Sequence, residues 1–143
     1  MFLKKLLINK KMRISFDFDG TLVDEFGGFP SNNQKDEIQG LVKKYISDGH
    51  EVVIITKRFG PDNLYKGLGN EHLEVQELAN KLGIEKVYFT NREMKFSYII
   101  NLKVDRHFEN DDYEVQLINQ VCKERKHECL VIPVEEHNWR DLL

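Results

Sequence analysis

The stretch Arg13-Ile14-Ser15-Phe16-Asp17-Phe18-Asp19-Gly20 decides how the rest of the chain is read. An apolar run climbs to an acidic Asp-x-Asp-Gly sequence, the pattern of a short strand that stops at a turn. Outward from it, Asn32 to Ser47 carries Ile38, Leu41, Val42, Tyr45 and Ile46 near the i, i+3, i+4, i+7 spacing of an amphipathic helix, which Asp48-Gly49 ends. Glu51 to Thr56 (EVVIIT) is β-branched almost throughout and suits a central strand covered on both faces. After a glycine-containing loop from Phe59 to Asn70, a helix is predicted from Glu71 to Leu82, with Gly83 as its stop. A strand follows at Lys86 to Thr90, a helix at Arg92 to Leu102, a strand at Val104 to Phe108, a helix at Asp111 to Arg125 and a strand at Cys129 to Val134.

Strand and helix in alternation predict the α/β class: a three-layer, Rossmann-like fold with a mostly parallel five-stranded sheet. The 143 residues contain no internal repeat and no linker, so residues 1 to 143 are read as a single domain. Hydrophobic residues make up 41% and prolines number three, which excludes a disordered or collagen-like chain. A formal charge of −3 excludes a dedicated nucleic-acid-coating surface, so an anionic substrate has to be held locally. No apolar stretch approaches the ~18 residues of a membrane span. Two cysteines, Cys122 and Cys129, fall short of a disulfide framework, and cytoplasmic localisation is expected. Residues 1 to 11 stand before the first strand. Apolar residues at 2, 3, 6 and 7 suit a short amphipathic helix packed on the domain, either as an N-terminal appendage or as sequence upstream of the start at Met12.

In open parallel sheets, ligands bind in the crevice outside the carboxyl ends of the strands. The residues predicted there are Asp17 and Asp19, Thr56, Thr90 with Asn91, and Glu109 with Asn110, Asp111 and Asp112. Carboxylates crowded into one crevice repel unless a cation neutralises them. Oxygen ligands without His or Cys suit a hard ion, Mg²⁺ rather than zinc or copper, and Mg²⁺ held by few carboxylates also binds substrate phosphate. Phosphoryl transfer, which needs charge neutralisation and positioning above all, is the reaction class this pattern suggests.

The run Asp17-Phe18-Asp19-Gly20-Thr21-Leu22-Val23 resembles the DxDGTLV signature of the haloacid dehalogenase-like hydrolase superfamily, mainly Mg²⁺-dependent phosphatases. Val53-Ile54-Ile55-Thr56 is similar to that superfamily's second motif, Lys95 to its third-motif lysine, and Phe108-Glu109-Asn110-Asp111-Asp112 to its acidic fourth motif. The resemblance implies a phosphomonoesterase in which Asp17 is the nucleophile and Asp19 the general acid and then base. It further implies Mg²⁺ between the Asp17 side chain, the Asp19 main-chain carbonyl and Glu109, with Thr56 donating to phosphate and Lys95 balancing charge. Residues i and i+2 of an extended segment point to the same side, so both aspartates can enter one crevice. One must be ionised and the other protonated, which requires environments that separate their pKa values. Gly20 is read as permitting a tight turn and close backbone approach.

The sequence departs from the pattern where Glu109-Asn110 replaces an aspartate pair, which leaves Glu109, Asp111 and Asp112 open as the fourth-motif ligand. Lys57, Lys86 and Lys103 compete with Lys95, which is preferred for its place near a helix start after the third strand. Arg58, His72 and Lys57 lie in or beside the loop after the second strand, within reach of a substrate although a plain surface role accounts for them. The intervals after the first and second motifs hold one helix and a loop plus one helix, so no large cap domain is expected. Asp24 to Pro30 is read as a small flap and Lys57 to Asn70 as a partial lid. The substrate expected is a phosphorylated small molecule or nucleotide, and the sequence does not identify which. The rival readings are a catalytically weak phosphate- or partner-binding module on the same fold, and a response-regulator receiver. The receiver would need an Asp at the end of the third strand, where Thr90-Asn91 stand.

Overall fold

The computed structural model describes residues 10–25, 34–62 and 69–143. Five strands form one sheet: β1 (Arg13–Phe16), β2 (Glu51–Thr56), β3 (Lys86–Phe89), β4 (Arg106–Glu109) and β5 (Leu130–Pro133). Their spatial order is β3-β2-β1-β4-β5 and every pairing is parallel. The mostly parallel sheet expected from sequence is therefore wholly parallel among the described residues. Among the described residues, four α-helices lie between the strands: α1 (Gln34–Ser47), α2 (Glu71–Leu82), α3 (Phe96–Asn101) and α4 (Asp112–Arg125), and a 3₁₀ turn at Trp139–Leu142 follows β5. No described helix is long and apolar enough to cross a membrane.

Strand side chains alternate between two faces, and the residues sort accordingly. Ile14 and Phe16 of β1, Val52 and Ile54 of β2, Phe108 of β4 and Ile132 of β5 pack with Ile38 and Val42 of α1, Val75 and Ala79 of α2, and Trp139. Val53, Ile55 and Val131 point the other way, onto Ile99 of α3 and Val115, Ile118 and Cys122 of α4. β2 is buried along almost its whole length because both layers cover it.

Several strand bounds move by one or two residues, the fourth strand from Val104–Phe108 to Arg106–Glu109, and two helix starts shift for local reasons. The predicted helix from Arg92 begins only at Phe96, because Asn91 and Arg92 take left-handed φ values of 55° and 71° and the Thr90 hydroxyl donates to the Glu93 carbonyl (2.6 Å) in an intervening turn. Asp111 is the N-cap of α4 rather than its first residue, its Oδ1 accepting the N–H groups of Tyr113 (2.9 Å) and Glu114 (3.4 Å). The N-terminal helix expected within residues 1 to 11, most of the flap from Asp24 to Pro30 and the central part of the Lys57–Asn70 lid lie outside the described residues.

The strand order reverses direction of travel at β1, with β2 on one side and β4 on the other. This is the topological switch point at which an open parallel sheet leaves a crevice beyond its carboxyl ends. Asp17 follows β1 directly and Glu109 closes β4, so the sheet itself brings these two acids together.

Candidate active site

Asp17 continues the line of β1, its N–H donating to the Phe108 carbonyl at 2.9 Å. The chain then folds into a turn in which Thr21, Leu22 and Val23 all donate their N–H groups to the Phe18 carbonyl. Gly20 makes the turn feasible, with φ at 80°, and a Cβ on it would stand 2.1 Å from Asn110 Nδ2. The expectation of a tight turn with close approach at Gly20 is met by these two facts.

Lys95 lies just before α3 and is 2% exposed, an extreme burial for a lysine that needs compensating anions. Its Nζ donates to Asp17 Oδ1 and to Glu109 Oε1, each at 2.7 Å. Of the four candidate lysines, Lys95 is thus the one in contact with the Asp17 side chain. Lys86 pairs with Glu51 at the far end of the strands, and Lys103 is exposed beyond α3.

Glu109 is held from three sides. Oε1 also meets His107 Nε2 at 2.9 Å, and Oε2 accepts the Asp111 N–H at 3.2 Å. His107 in turn is 2.7 Å from the Ser15 hydroxyl through Nδ1, and Ser15 and His107 sit opposite each other in the β1–β4 register. A buried polar chain therefore runs Ser15, His107, Glu109, Lys95, Asp17. Burial pushes the His107 pKa down against the pull of Glu109. Burial also raises the Lys95 site's demand for anions, and Asp17 and Glu109 more than meet it, lifting its pKa.

Two carboxyls share this one ammonium, so their titrations are linked. Burial raises Asp17 to about 8, with Lys95 opposing and Glu109 adding to the rise. Burial acts on Glu109 as well, yet Lys95 and His107 outweigh it and the carboxyl falls to about 2. The difference follows from donor count: Glu109 has three partners, whereas Asp17 has Lys95 and a Thr21 hydroxyl at 3.3 Å.

A cavity of about 280 Å³ opens above these groups, lined by Asp17, Asp19, Glu25, Lys57, Lys95, Asn110 and Asp111. Asp17 and Asp19 do share it, as their i, i+2 spacing suggests. Thr56 is 1% exposed at the end of β2, and its Oγ1 accepts the Arg58 N–H at 3.3 Å; it does not line the cavity, whereas the next residue, Lys57, does. Glu109 lies behind Lys95, also outside the lining, while Asp111 is on it. Asp112 is exposed and accepts from Gln116.

Three contributors escape a reading of the sequence. His107 carries no motif spacing; only its period-two placement two residues before Glu109 marks the shared face. Glu114 is wholly buried, with Oε1 accepting the Lys95 N–H at 3.4 Å and Oε2 lacking a hydrogen bond, 3.9 Å from Lys57 Nζ. Its place in the first turn of α4, on the buried helical face with Val115 and Ile118, was the available signal. Arg58, expected either within reach of substrate or as a plain surface residue, is 6% exposed and engages Asp19 with two bonds.

The residues present suit a hard divalent cation. Every heteroatom donor on the cavity wall is oxygen apart from two ammonium groups and one amide. Asp17 has an oxygen whose only described partner is the long Thr21 contact, and burial raises its pKa in spite of the Lys95 ammonium. Among the described residues no three His, Cys, Asp or Glu side chains cluster as a ready-made ligand set. Such a cation would therefore rely on main-chain oxygen, water and substrate as well.

A larger cavity, about 610 Å³, lies at the opposite end of the strands, beside His50, Asp105 and His127. Three of its polar groups serve the backbone: His50 accepts the Met12 N–H, Asp105 the Arg13 N–H, and His127 Nε2 meets the Val104 carbonyl. It braces the start of the sheet.

No protein-family model and no curated protein matches this chain. Among solved structures, it is similar to pantoate-beta-alanine (pantothenate synthetase) from Thermus thermophilus, at 10% identity and a TM-score of 0.48. That similarity takes in 87% of this chain, which spans only about half of the other, 55% of its length.

Proposed function

We propose that the chain is a Mg²⁺-dependent phosphohydrolase, a phosphomonoesterase acting through an aspartyl-phosphate on Asp17. The observation that carries the reading is the buried contact of Lys95 Nζ with both Asp17 and Glu109 at 2.7 Å, at the switch point of the sheet and on the floor of an open cavity. A lysine is buried there only because it faces carboxyl groups; bound Mg²⁺ would add the further positive charge that ionises Asp17, whose second oxygen then faces a phosphorus atom.

In this scheme Asp17 Oδ2 forms a bond to phosphorus as the bond from phosphorus to the leaving oxygen breaks, and Asp19 gives that oxygen a proton. Asp19 then takes a proton from water, whose oxygen bonds to phosphorus while the Asp17–phosphorus bond breaks, returning the free carboxylate and inorganic phosphate. Lys95 holds Asp17 oriented and offsets the charge gathered around it. Lys57, on the wall, supplies a second ammonium for the phosphate oxygens. Asp17, the Asp19 main-chain carbonyl and an acid from the end of β4, Glu109 or Asp111, would hold Mg²⁺, which supplies charge neutralisation for the transferring phosphoryl group. The cavity volume suits a phosphate with a small attached group, so the substrate class is a phosphorylated small molecule or nucleotide.

A second reading, a phosphate- or partner-binding module with weak turnover, draws on the placement of Glu109 behind Lys95 with both oxygens already engaged. Hydrolysis of 4-nitrophenyl phosphate separates the two. Turnover that requires Mg²⁺, stops with EDTA and is lost in Asp17→Asn supports the phosphohydrolase. Turnover that survives both treatments excludes the Asp17 mechanism, and no turnover over a broad panel of phosphate esters favours the binding module.

A further inference from the structure

Two residues beyond Thr56, an arginine would ordinarily be read as a clamp for substrate phosphate. The structure uses Arg58 differently. Nε and Nη2 form parallel bonds to Asp19 Oδ2 (3.0 Å) and Oδ1 (2.7 Å), the two-pronged geometry that fixes a carboxylate in both position and plane. Nη1 donates to the Glu71 carbonyl (2.8 Å) and to Glu74 (2.9 Å), at the start of α2. The guanidinium also lies over the Phe18 ring, 4.8 Å from its centroid. Four of its N–H directions and one face are thereby occupied, and Arg58 does not line the cavity, whereas Asp19 does. Any influence Arg58 has on chemistry in that cavity passes through Asp19.

We propose that Arg58 is the positioning residue of Asp19: it anchors the carboxylate at the cavity wall by a bidentate bond and is itself fixed by α2 and Phe18. The proposal rests on the reading of Asp19 as the group that serves the leaving oxygen. Asp19 is about one-third exposed at its side chain and sits on a turn, so without Arg58 little else among the described contacts sets its orientation. A one-pronged lysine would hold it less well, since a point charge does not fix the carboxylate plane.

A double-mutant cycle with two substrates tests this. Full-length wild type, Arg58→Gln, Arg58→Lys, Asp19→Asn and the Arg58→Gln/Asp19→Asn double variant are assayed with Mg²⁺ on 4-nitrophenyl phosphate and on glycerol 2-phosphate. An alkyl leaving oxygen needs the proton and an aryl one scarcely does. Arg58→Gln should therefore lower kcat/KM, which reports the step in which the leaving oxygen departs, by about 30-fold on the alkyl ester and by only about threefold on the aryl ester, a part of the full value of general acid catalysis. Arg58→Lys should recover part of the alkyl activity, and Arg58→Gln should cost almost nothing further once Asp19 is Asn. An equal loss on both esters, or a full loss persisting in the Asp19→Asn background, overturns the proposal while leaving the phosphohydrolase intact. A wild type inert toward both esters and toward a broader phosphate panel overturns the phosphohydrolase reading and this proposal with it. Should Arg58→Gln fail to fold, Arg58→Lys alone carries the substrate comparison, and an unchanged alkyl-to-aryl ratio there counts against the proposal.

Discussion

The two faces of the sheet are built to different rules. On the face covered by α1, α2 and Trp139, the strands contribute mainly apolar side chains, with Arg106 of β4 donating to the Tyr45 hydroxyl of α1 at 2.9 Å, and aromatic rings meet one another: Phe16 stacks on Phe108 at 4.4 Å, and Trp139 meets Phe108 edge-on at 6.3 Å. On the face toward α3 and α4, the same two strands place Ser15 and His107 between the aliphatic residues, and these lead to Glu109 and Lys95. Because strand side chains alternate, β1 and β4 supply both faces at once. One face carries stability. The other gives up part of its apolar packing to hold charges beneath the cavity, a trade seen where function requires buried polar groups.

The largest effect should come from removing the acid on which the polar face converges. Asp17→Asn is expected to lower turnover of 4-nitrophenyl phosphate more than about a thousandfold. It should also raise the melting temperature at pH 8 by roughly 5 °C. The sign follows from linkage: Asp17 holds its proton in the folded chain up to about 8 but only to 3.8 when unfolded, so the folded state binds more protons and stability declines as pH rises between those values. Asn removes that decline, and a melting curve series from pH 5 to 8 in metal-free buffer checks it. Wild-type melting that is flat across this range would break the contrast between a stabilising and a strained face.

Next is the apolar face. Phe108→Ala should cost about 3–4 kcal/mol in urea unfolding, while the folded fraction keeps its Mg²⁺ requirement. By comparison His107→Ala, on the opposite face and only one residue earlier, should cut kcat about 10- to 100-fold, by analogy with losing an outer partner of a ligand group, with a smaller loss of stability. If both variants lose stability and activity in the same proportion, the division of labour between faces is wrong. The smallest difference concerns the fourth motif: Glu109→Gln should weaken Mg²⁺ binding in a calorimetric titration by a fewfold more than Asp112→Asn. The reverse order, or a dominant effect of Asp111→Asn, would move the ligand to the cavity wall.

The alternation that named the fold was legible because it depends on residue period alone: EVVIIT and the helix at Glu71 to Leu82 appear at their predicted bounds. The start of α3 was not, because the turn at Asn91-Arg92 uses two non-glycine residues in left-handed conformation, and only Asn91 is of a type that favours it. At the site, Asp17, Asp19, Gly20 and Lys95 were legible from motif and spacing. Glu114 and His107 were not, because each looks like an ordinary polar residue until a partner 19 or 92 positions away closes on it. Arg58 escaped for a related reason: its partners Asp19 and Glu74 are distant in sequence and on opposite sides of it.

Trp139 bears on how the molecule comes into being. Its indole N–H donates to Gln34, 105 positions earlier, and Arg140 pairs with Glu37 on the same helix. During synthesis the apolar face must therefore wait, with Phe16 and Phe108 already made and uncovered on one side, until residue 139 has left the ribosome. The polar face has its covering helices by residue 125. A nascent chain halted between those points would carry a nearly assembled cavity over an unsealed aromatic floor, the state most in need of a chaperone.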